Sequence, residues 1–172
     1  MADLKVNIAG VELANPLIAA SGTFGFGREY AEFYPLSTLG GISCKGITLQ
    51  ERPGNPPPRI AETPSGMLNA VGLQNPGVDH FIREDLPWLR QQGTAVIANI
   101  AGNTPEDYCA MAEKLSDSDV DMIEMNISCP NVKQGGVQFG TSCEGVGAIT
   151  AAVRKHCTKP LMVKLSPNVS DI

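Results

Sequence analysis

Five short apolar runs, separated by longer stretches with helical spacing, limit the folds that this sequence can adopt. The runs are of strand length, most of them end in Gly, Ser or Asn, and they cover residues 16–21, 40–46, 95–102, 120–128 and 160–166. Such runs are typical of strands buried on both faces of a parallel sheet. Strands that alternate with helices predict right-handed βαβ units in an α/β fold, either an open doubly wound sheet or a closed barrel.

The segments outside these runs carry helix and hairpin signals. Thr104 is a candidate N-cap, and Pro105 and two acidic residues follow it at positions that suit the start of a helix. A second helix is predicted over residues 144–157 and a weaker third over residues 79–90, broken by Pro87. Residues 4–13 alternate apolar and polar around a glycine, which predicts an amino-terminal β-hairpin.

Charge and composition argue against several classes of partner. The formal net charge is -5 and no basic run occurs, which argues against a nucleic-acid partner. Residues 63–78 are the longest stretch without a charge, and they are fewer than the ~18 apolar residues that a membrane helix needs. The amino terminus begins with polar residues and lacks the plan of a secretory signal, so we expect no membrane association and a cytoplasmic protein.

The five cysteines do not form a recognisable framework. Their number is odd and no CxxC spacing occurs, so neither disulfides nor a metal site is expected. Buried thiols are the simplest interpretation for most of them. Cys129 differs because it follows the fourth apolar run and precedes a long glycine-rich segment that extends to residue 140, a pattern typical of an active-site lid.

Strand parity predicts where a binding site lies, because residues two apart in a strand share a face. In all five predicted strands one face becomes polar toward the carboxyl end, where α/β folds bind ligands. For any single strand a structural hydrogen-bonding role is the simpler interpretation, but five strands together favour a site. The aligned sets are Leu17, Ala19 and Ser21; Gly41, Ser43 and Lys45; Ala95, Ile97 and Asn99; Glu124, Asn126 and Ser128; and Met162, Lys164 and Ser166.

The charges and amides on these faces indicate the chemistry of the ligand. Lys45 and Lys164 both point to the same side, and burying two cations is costly unless an anion lies beside them. The ligand is therefore expected to carry negative charge, as a carboxylate or a reduced flavin does. Residues 69–77 add amide side chains that could pair with an imide, although an ordinary loop is the simpler interpretation of that segment alone.

Cys129 has three possible roles, which are nucleophile, general base or inert buried thiol. An ordinary thiol has a pKa of ~8.5, so a base that works near neutrality needs only modest help from cations or hydrogen-bond donors. A Cys–His nucleophile is not favoured, because His80 and His156 both lie in predicted helices.

Taken together, five segments closely resemble those of the class 1 dihydroorotate dehydrogenases, and the first has the form found in class 1B catalytic subunits. They cover residues 20–27, 45–48, 69–77, 126–131 and 163–168. The resemblance implies a TIM (β/α)8 barrel with FMN above the strand ends. Because such a barrel typically needs ~250 residues, residues 1–172 are expected to be the amino-terminal part of a single FMN-binding barrel domain, truncated after about five strands.

The resemblance also implies a role for each matching residue. Cys129 would be the base that removes the C5 proton of dihydroorotate while the C6 hydride passes to flavin N5. Lys164 would stabilise negative charge on the reduced flavin ring. The implied substrate contacts are Lys45, Asn69, Gly72, Leu73, Asn126 and Asn131, and the implied FMN contacts are Ser21, Lys45, Gly46, Asn99, Asn126 and Lys164.

For the whole protein, the resemblance implies oxidation of dihydroorotate to orotate in pyrimidine biosynthesis. It also implies a second subunit with an iron–sulfur cluster and FAD, which passes electrons to NAD, and a homodimer at the core of a heterotetramer. Two alternatives stay open: a related flavin barrel acting on another dihydropyrimidine, and a non-catalytic half-barrel. Residues 1–172 alone are expected to have exposed strand edges and little or no activity.

Overall fold

The computed structural model describes residues 2–128 and 136–167, the second range with side chains from residue 139 onward. In chain order the strands are β1 (Val6–Ile8), β2 (Val11–Leu13), β3 (Ile18–Ala19), β4 (Gly41–Ser43), β5 (Ile60–Thr63), β6 (Gly66–Asn69), β7 (Ala95–Ile100), β8 (Met122–Asn126) and β9 (Leu161–Lys164). The α-helices are α1 (Val78–His80), α2 (Leu86–Arg90), α3 (Pro105–Ser116) and α4 (Cys143–Arg154). Short 3-10 helices cover Tyr30–Glu32, Leu36–Thr38 and Gly136–Thr141.

The central sheet has five parallel strands in the order β3-β4-β7-β8-β9. All five predicted strands are therefore confirmed, each shorter than its apolar run. Each strand pairs with the next strand of this sheet in the sequence, and the order never reverses. A doubly wound sheet reverses its order at a switch point, whereas a (β/α)8 barrel adds strands in sequence. The sheet thus has the topology of five consecutive barrel strands, which confirms the predicted fold.

Two antiparallel hairpins lie outside this sheet. The first pairs β1 with β2 around Ala9 and Gly10, both with positive φ, and confirms the predicted amino-terminal hairpin. The second pairs β5 with β6 and was not predicted. All eight of its strand residues are exposed, so it lacks the alternation of apolar and polar residues that marks a strand with one buried face.

The prediction that Pro87 breaks the third helix is wrong. The chain is helical from Val78 to Arg90, with a π-helical turn over Phe81–Asp85 between α1 and α2. Proline lacks an N–H and its ring clashes with the carbonyl four residues earlier in a regular α-helix. The wider π turn changes the hydrogen-bond register, so that Pro87 falls in the first turn of α2, where a missing N–H is tolerated.

The helices α3 and α4 each begin after a capping side chain, of which Thr104 was predicted and Ser142 was not. The Thr104 side chain accepts a hydrogen bond from the Asp107 N–H, and the Asp107 side chain accepts one from the Thr104 N–H, which together form a capping box. At the start of α4, the Ser142 hydroxyl accepts from the Gly145 N–H at 3.0 Å. Among the described residues, no helix is long and apolar enough to cross a membrane.

The hydrophobic core lies between the sheet and these helices. Ile100, Ile123 and Met125 are fully buried in one cluster with residues of both helices. The helix side of this cluster consists of Tyr108, Met111, Ala112 and Leu115 from α3 and Ile149 and Val153 from α4. Because alternate residues of β7 and β8 face this core, the residues between them face the opposite side, where the polar side chains lie.

Candidate active site

A polar cavity of about 250 Å³ lies at the carboxyl ends of the parallel strands. It gathers the residues that strand parity placed on one face, together with the loop after β6. Its lining consists of Ser21, Gly22, Lys45, Gly46, Asn69, Val71, Gly72, Leu73, Asn99, Asn126, Ser128 and Lys164. The structure therefore brings together nine of the residues that the resemblance had assigned to substrate or cofactor: Ser21, Lys45, Gly46, Asn69, Gly72, Leu73, Asn99, Asn126 and Lys164.

Four side chains form a connected network, here called the cavity floor: Ser21, which follows β3, and Asn99, Glu124 and Lys164, which lie in β7, β8 and β9. The Ser21 hydroxyl donates to Glu124 Oε1 at 3.0 Å and accepts from Lys164 Nζ at 3.0 Å. Asn99 Nδ2 donates to the same Glu124 oxygen and lies 3.2 Å from Ser21 Oγ. Asn99 is directly opposite Glu124 in the register of β7 and β8, so the sheet itself sets this contact.

Glu124 changes the charge balance that the sequence suggested. Lys45 and Lys164 both line the cavity, as expected, and among the described residues neither makes a salt bridge. The expectation of a negatively charged ligand considered these two cations alone. The buried Glu124 carboxylate already supplies one negative charge on the floor, so the described part of the cavity carries one uncompensated cation instead of two.

The Asn126 side chain is oriented by the residue two positions further on. Its Oδ1 accepts from the Ser128 N–H at 3.1 Å and from the Ser128 hydroxyl at 2.8 Å. The Tyr108 hydroxyl donates to the Asn126 carbonyl at 2.8 Å and fixes the backbone at the same point. Since the amide oxygen is occupied, Asn126 is left to present its NH2 group, which suits a carbonyl oxygen of the ligand.

Residues 69–73 form the other side of the cavity, here called the cavity rim, and backbone conformation determines its shape. Gly72 has a φ of +77°, and a Cβ there would lie 2.8 to 2.9 Å from Asn55 atoms. Leu73 also has a positive φ, of 56°, which is unusual for a residue with a side chain and is common at binding sites.

A buried asparagine anchors the rim to the segment that follows β4. Asn75 Oδ1 accepts from the N–H groups of Thr48 and Gly77 at 3.0 and 2.9 Å, and its Nδ2 donates to the Leu73 carbonyl at 2.9 Å. The Asn75 amide thus holds the loop in place and does not line the cavity. For this residue, the interpretation of residues 69–77 as an ordinary structural loop is correct.

Burial distinguishes the described cysteines from one another. Cys44 and Cys157 are buried, Cys109 is partly exposed and Cys143 is exposed, so the expectation of buried thiols holds for only two of these. Burial strongly raises the pKa of the Cys44 thiol, and the nearby carboxylates of Asp85 and Glu124 raise it further. Cys44 is therefore protonated at neutral pH and unsuited to act as a base.

Two predicted site residues, Cys129 and Asn131, lie outside the described residues. Among the described residues, no group of three His, Cys, Asp or Glu side chains could hold a metal ion.

Sequence reasoning assigned no site role to four residues of the floor or lining: Gly22, Val71, Ser128 and Glu124. Parity did place Ser128 and Glu124 on the polar face, and that signal was available for assigning them. Val71 had no comparable signal, because it enters the cavity only through the fold of the rim.

Comparisons with known proteins agree along nearly the entire chain. A family model described as dihydroorotate dehydrogenase matches residues 3–172. The chain is 59% identical over 172 residues to the catalytic subunit of dihydroorotate dehydrogenase B (NAD(+)) from Petrotoga mobilis, a match that covers 100% of this chain and 57% of that protein. It is 61% identical over 170 residues to the same subunit from Alkaliphilus metalliredigens, a match that covers 99% of this chain and 56% of that protein.

The chain thus spans a little over half the length of the curated relatives that it matches. The family match and the identities extend over its whole described fold, including every segment that carries the cavity. On these grounds the chain belongs to the dihydroorotate dehydrogenase family.

Proposed function

We propose that the protein oxidises dihydroorotate to orotate in pyrimidine biosynthesis, as the catalytic subunit of an NAD-linked dihydroorotate dehydrogenase. In this proposal residues 1–172 form the amino-terminal part of a single FMN-binding barrel domain located in the cytoplasm. The observation that carries the proposal is the convergence of two lysines and three asparagines on one cavity in a chain of this family.

The cavity suits the functional groups of dihydroorotate. The substrate carries a carboxylate, for which Lys45 is the proposed partner, and a ring imide with carbonyl oxygens. The Asn126 amide is oriented to donate to such a carbonyl, and Asn69 adds a second amide at the rim. Gly72 and Leu73 would bound the ring, and Asn131 completes the proposed substrate contacts.

Features of the same cavity support the proposal that it binds the ring of FMN. The glycine at position 46 keeps the floor open, because a Cβ there would lie 2.9 Å from Asn99 Oδ1 and 3.2 Å from Leu73 Cδ1. Ser21, Lys45, Gly46, Asn99, Asn126 and Lys164 are the residues proposed to hold the flavin. FMN would supply hydride acceptance, a chemistry that amino-acid side chains lack.

Cys129 is the proposed general base, which takes the C5 proton of dihydroorotate as the substrate loses a hydride from C6. Cys129→Ala should slow dihydroorotate oxidation by about 10²- to 10⁴-fold, the usual contribution of a positioned base, while flavin stays bound. Stopped-flow measurement of substrate oxidation in the full-length protein tests this. Cys143→Ala, which removes an exposed thiol, is the matched control. An unchanged rate in Cys129→Ala would remove the assignment.

We further propose a partner subunit that carries an iron–sulfur cluster and FAD, in a heterotetramer built on a homodimer of this protein. Support for a partner comes from the relatives, which are themselves named catalytic subunits of an NAD(+)-dependent enzyme. The subunit composition is testable by co-purification and mass measurement of the intact complex.

Comparing two substrates tests the proposed activity. Dihydrouracil has the ring of dihydroorotate but lacks its carboxylate, so the Lys45 ammonium would have no anionic partner. The full-length protein should oxidise dihydroorotate much faster than dihydrouracil. Equal or faster turnover of dihydrouracil would instead support a barrel that acts on another dihydropyrimidine.

A further inference from the structure

Glu124 is a buried carboxylate on the cavity floor, and the proposed reaction assigns it no role. It is 7% exposed and lies near the middle of β8, so water cannot solvate its charge well. Burying a carboxylate costs free energy unless it is hydrogen-bonded and its charge is compensated. The presence of Glu124 in a ligand cavity therefore needs a physical explanation. Its contacts with two floor side chains supply one.

The first contact uses the whole hydrogen-bonding capacity of Ser21. A hydroxyl has one proton to donate and two lone pairs to accept with. Ser21 donates to Glu124 and accepts from Lys164 and Asn99. Because a carboxylate only accepts, Glu124 fixes the direction of the hydroxyl and leaves its lone pairs to the ammonium and the amide.

The second contact fixes the orientation of Asn99. Its NH2 group faces Glu124, since the opposite orientation would place two acceptor oxygens together. The Asn99 Oδ1 atom is buried and has no hydrogen-bond partner among the described residues. By holding the NH2 group, Glu124 leaves the Asn99 Oδ1 atom as an unused hydrogen-bond acceptor. Such an acceptor suits the N–H of an imide, such as that in the flavin ring.

The two contacts also connect opposite charges across the floor. Lys164 Nζ and Glu124 Oε1 bind the same Ser21 hydroxyl, each at 3.0 Å. The hydroxyl thus joins cation and anion, and the lysine remains on the lining of the cavity. Removing the carboxylate would leave Lys164 uncompensated without changing any group that lines the cavity.

We propose that Glu124 is a positioning residue that acts through Ser21 and Asn99 and offsets the Lys164 charge, thereby setting the relative affinity of the cavity for oxidised and reduced flavin. This inference rests on the proposed function, because it requires FMN in the cavity. A flavin gains negative charge on reduction, so the negative charge of Glu124 disfavours the reduced form and the positive charge of Lys164 favours it. The ratio of the two affinities reports their balance.

Glu124→Gln tests the inference, because glutamine keeps the shape and an acceptor oxygen but removes the charge. The reduced flavin should bind about tenfold more tightly relative to the oxidised flavin, the order expected when one buried unit charge near a ligand is removed. For a two-electron couple, tenfold corresponds to an upward shift of about 30 mV in the potential of the bound flavin. Potentiometric titration of the full-length protein with bound FMN measures it.

The matched control is Asp119→Asn, which removes the same charge from a side chain that is 78% exposed and pairs with Arg90. It should leave the potential within a few millivolts of the parent value, since solvent screens an exposed charge. A variant that only loosened the fold would weaken both flavin forms together and leave their ratio unchanged, so the potential separates a positioning role from a structural one.

Ser21→Ala is the second variant, in case Glu124→Gln does not fold. It breaks the connection between Lys164 and Glu124 and should shift the potential in the same direction by a smaller amount. An unchanged potential in whichever variant folds would overturn the inference. If the parent protein binds no FMN, the proposed function fails instead, so the two failures are distinguishable.

Discussion

The cavity floor is made by side chains from parts of the sheet that lie far apart in sequence, whereas the cavity rim is a single short segment of the chain. Ser21 and Lys164 hydrogen-bond across 143 positions of the chain, and the sheet register places Asn99 opposite Glu124. On the rim, Gly72 and Leu73 obtain their positions from consecutive positive φ angles and from the Asn75 anchor. Side-chain identity therefore sets the chemistry of the floor, and backbone conformation sets the shape of the rim.

The two regions also differ in how firmly they are held. The floor rests on a sheet whose strands β7 and β8 are almost entirely buried. The rim continues directly from the β5–β6 hairpin, in which every strand residue is exposed, including Ile60, Met67 and Leu68. Low burial is associated with low local stability, so we expect the floor to bind the flavin as a preformed surface and the rim to adjust to the substrate.

Among changes that separate the floor from the rim, removing the floor cation should give the largest effect. Lys164→Ala deletes the only ammonium that the floor network positions, and a charge-assisted contact of ~1.5 to 3 kcal/mol corresponds to a loss of about tenfold to 100-fold in FMN affinity. Flavin content measured by absorbance after gel filtration checks this. Lys114→Ala, at an exposed lysine that pairs with Asp79, is the control. Equal FMN occupancy in Lys164→Ala and the parent protein would contradict the role of the floor.

A change at the rim should affect the substrate more than the flavin. Gly72→Ala introduces a Cβ at a φ of +77° and within 2.9 Å of the Asn55 backbone nitrogen, so the loop must move. The conformational cost alone is about 1 to 2 kcal/mol. We expect the KM for dihydroorotate to rise about tenfold while FMN stays bound.

Gly66→Ala is the matched control for Gly72→Ala, because nothing lies within 4 Å of a Cβ at that hairpin position. It should leave the KM unchanged. If Gly72→Ala weakened FMN binding as much as dihydroorotate binding, the assignment of the flavin to the floor and of the substrate to the rim would be wrong.

The smallest effect concerns Cys44, whose thiol is buried in the hydrophobic core. Its pKa is raised in the folded state, so at high pH the unfolded chain loses a proton that the folded chain keeps. The contribution of Cys44 to the free energy of unfolding is then fully present below the ordinary thiol pKa of ~8.5. Above that pH it falls by at most about 1.4 kcal/mol per pH unit, the limit for one group. Cys44→Ala should reduce this slope in urea titrations between pH ~9 and ~10.5. Equal slopes in the parent protein and Cys44→Ala would contradict the burial argument.

The difference between floor and rim also explains what the sequence could predict. Parity applies to strands, so the alternation of residues along each apolar run was enough to assign Ser21, Asn99, Glu124 and Lys164 to one face. It could not show that Glu124 binds Ser21, because β3 and β8 are not neighbours in the sheet and the contact depends on the three-dimensional shape of the whole sheet.

The conformations of the rim and of the exposed hairpin are hard to predict from a single sequence. A positive φ at Leu73 cannot be read from leucine, and a hairpin exposed on both faces has no apolar periodicity. Helix propensity alone predicts that Pro87 breaks the helix. The π turn before Pro87 lets the helix continue, and the sequence gives no sign of that turn. The resemblance to the family supplied the rim residues instead, by matching residues 69–77 as a segment.

The most direct test of the account is the visible absorption of flavin in the purified full-length protein, recorded anaerobically before and after dihydroorotate is added. The account predicts about one FMN per chain, held in the cavity of the five parallel strands, and loss of the oxidised flavin band when dihydroorotate is added. A colourless protein, or a bound flavin that dihydroorotate leaves oxidised, would contradict it.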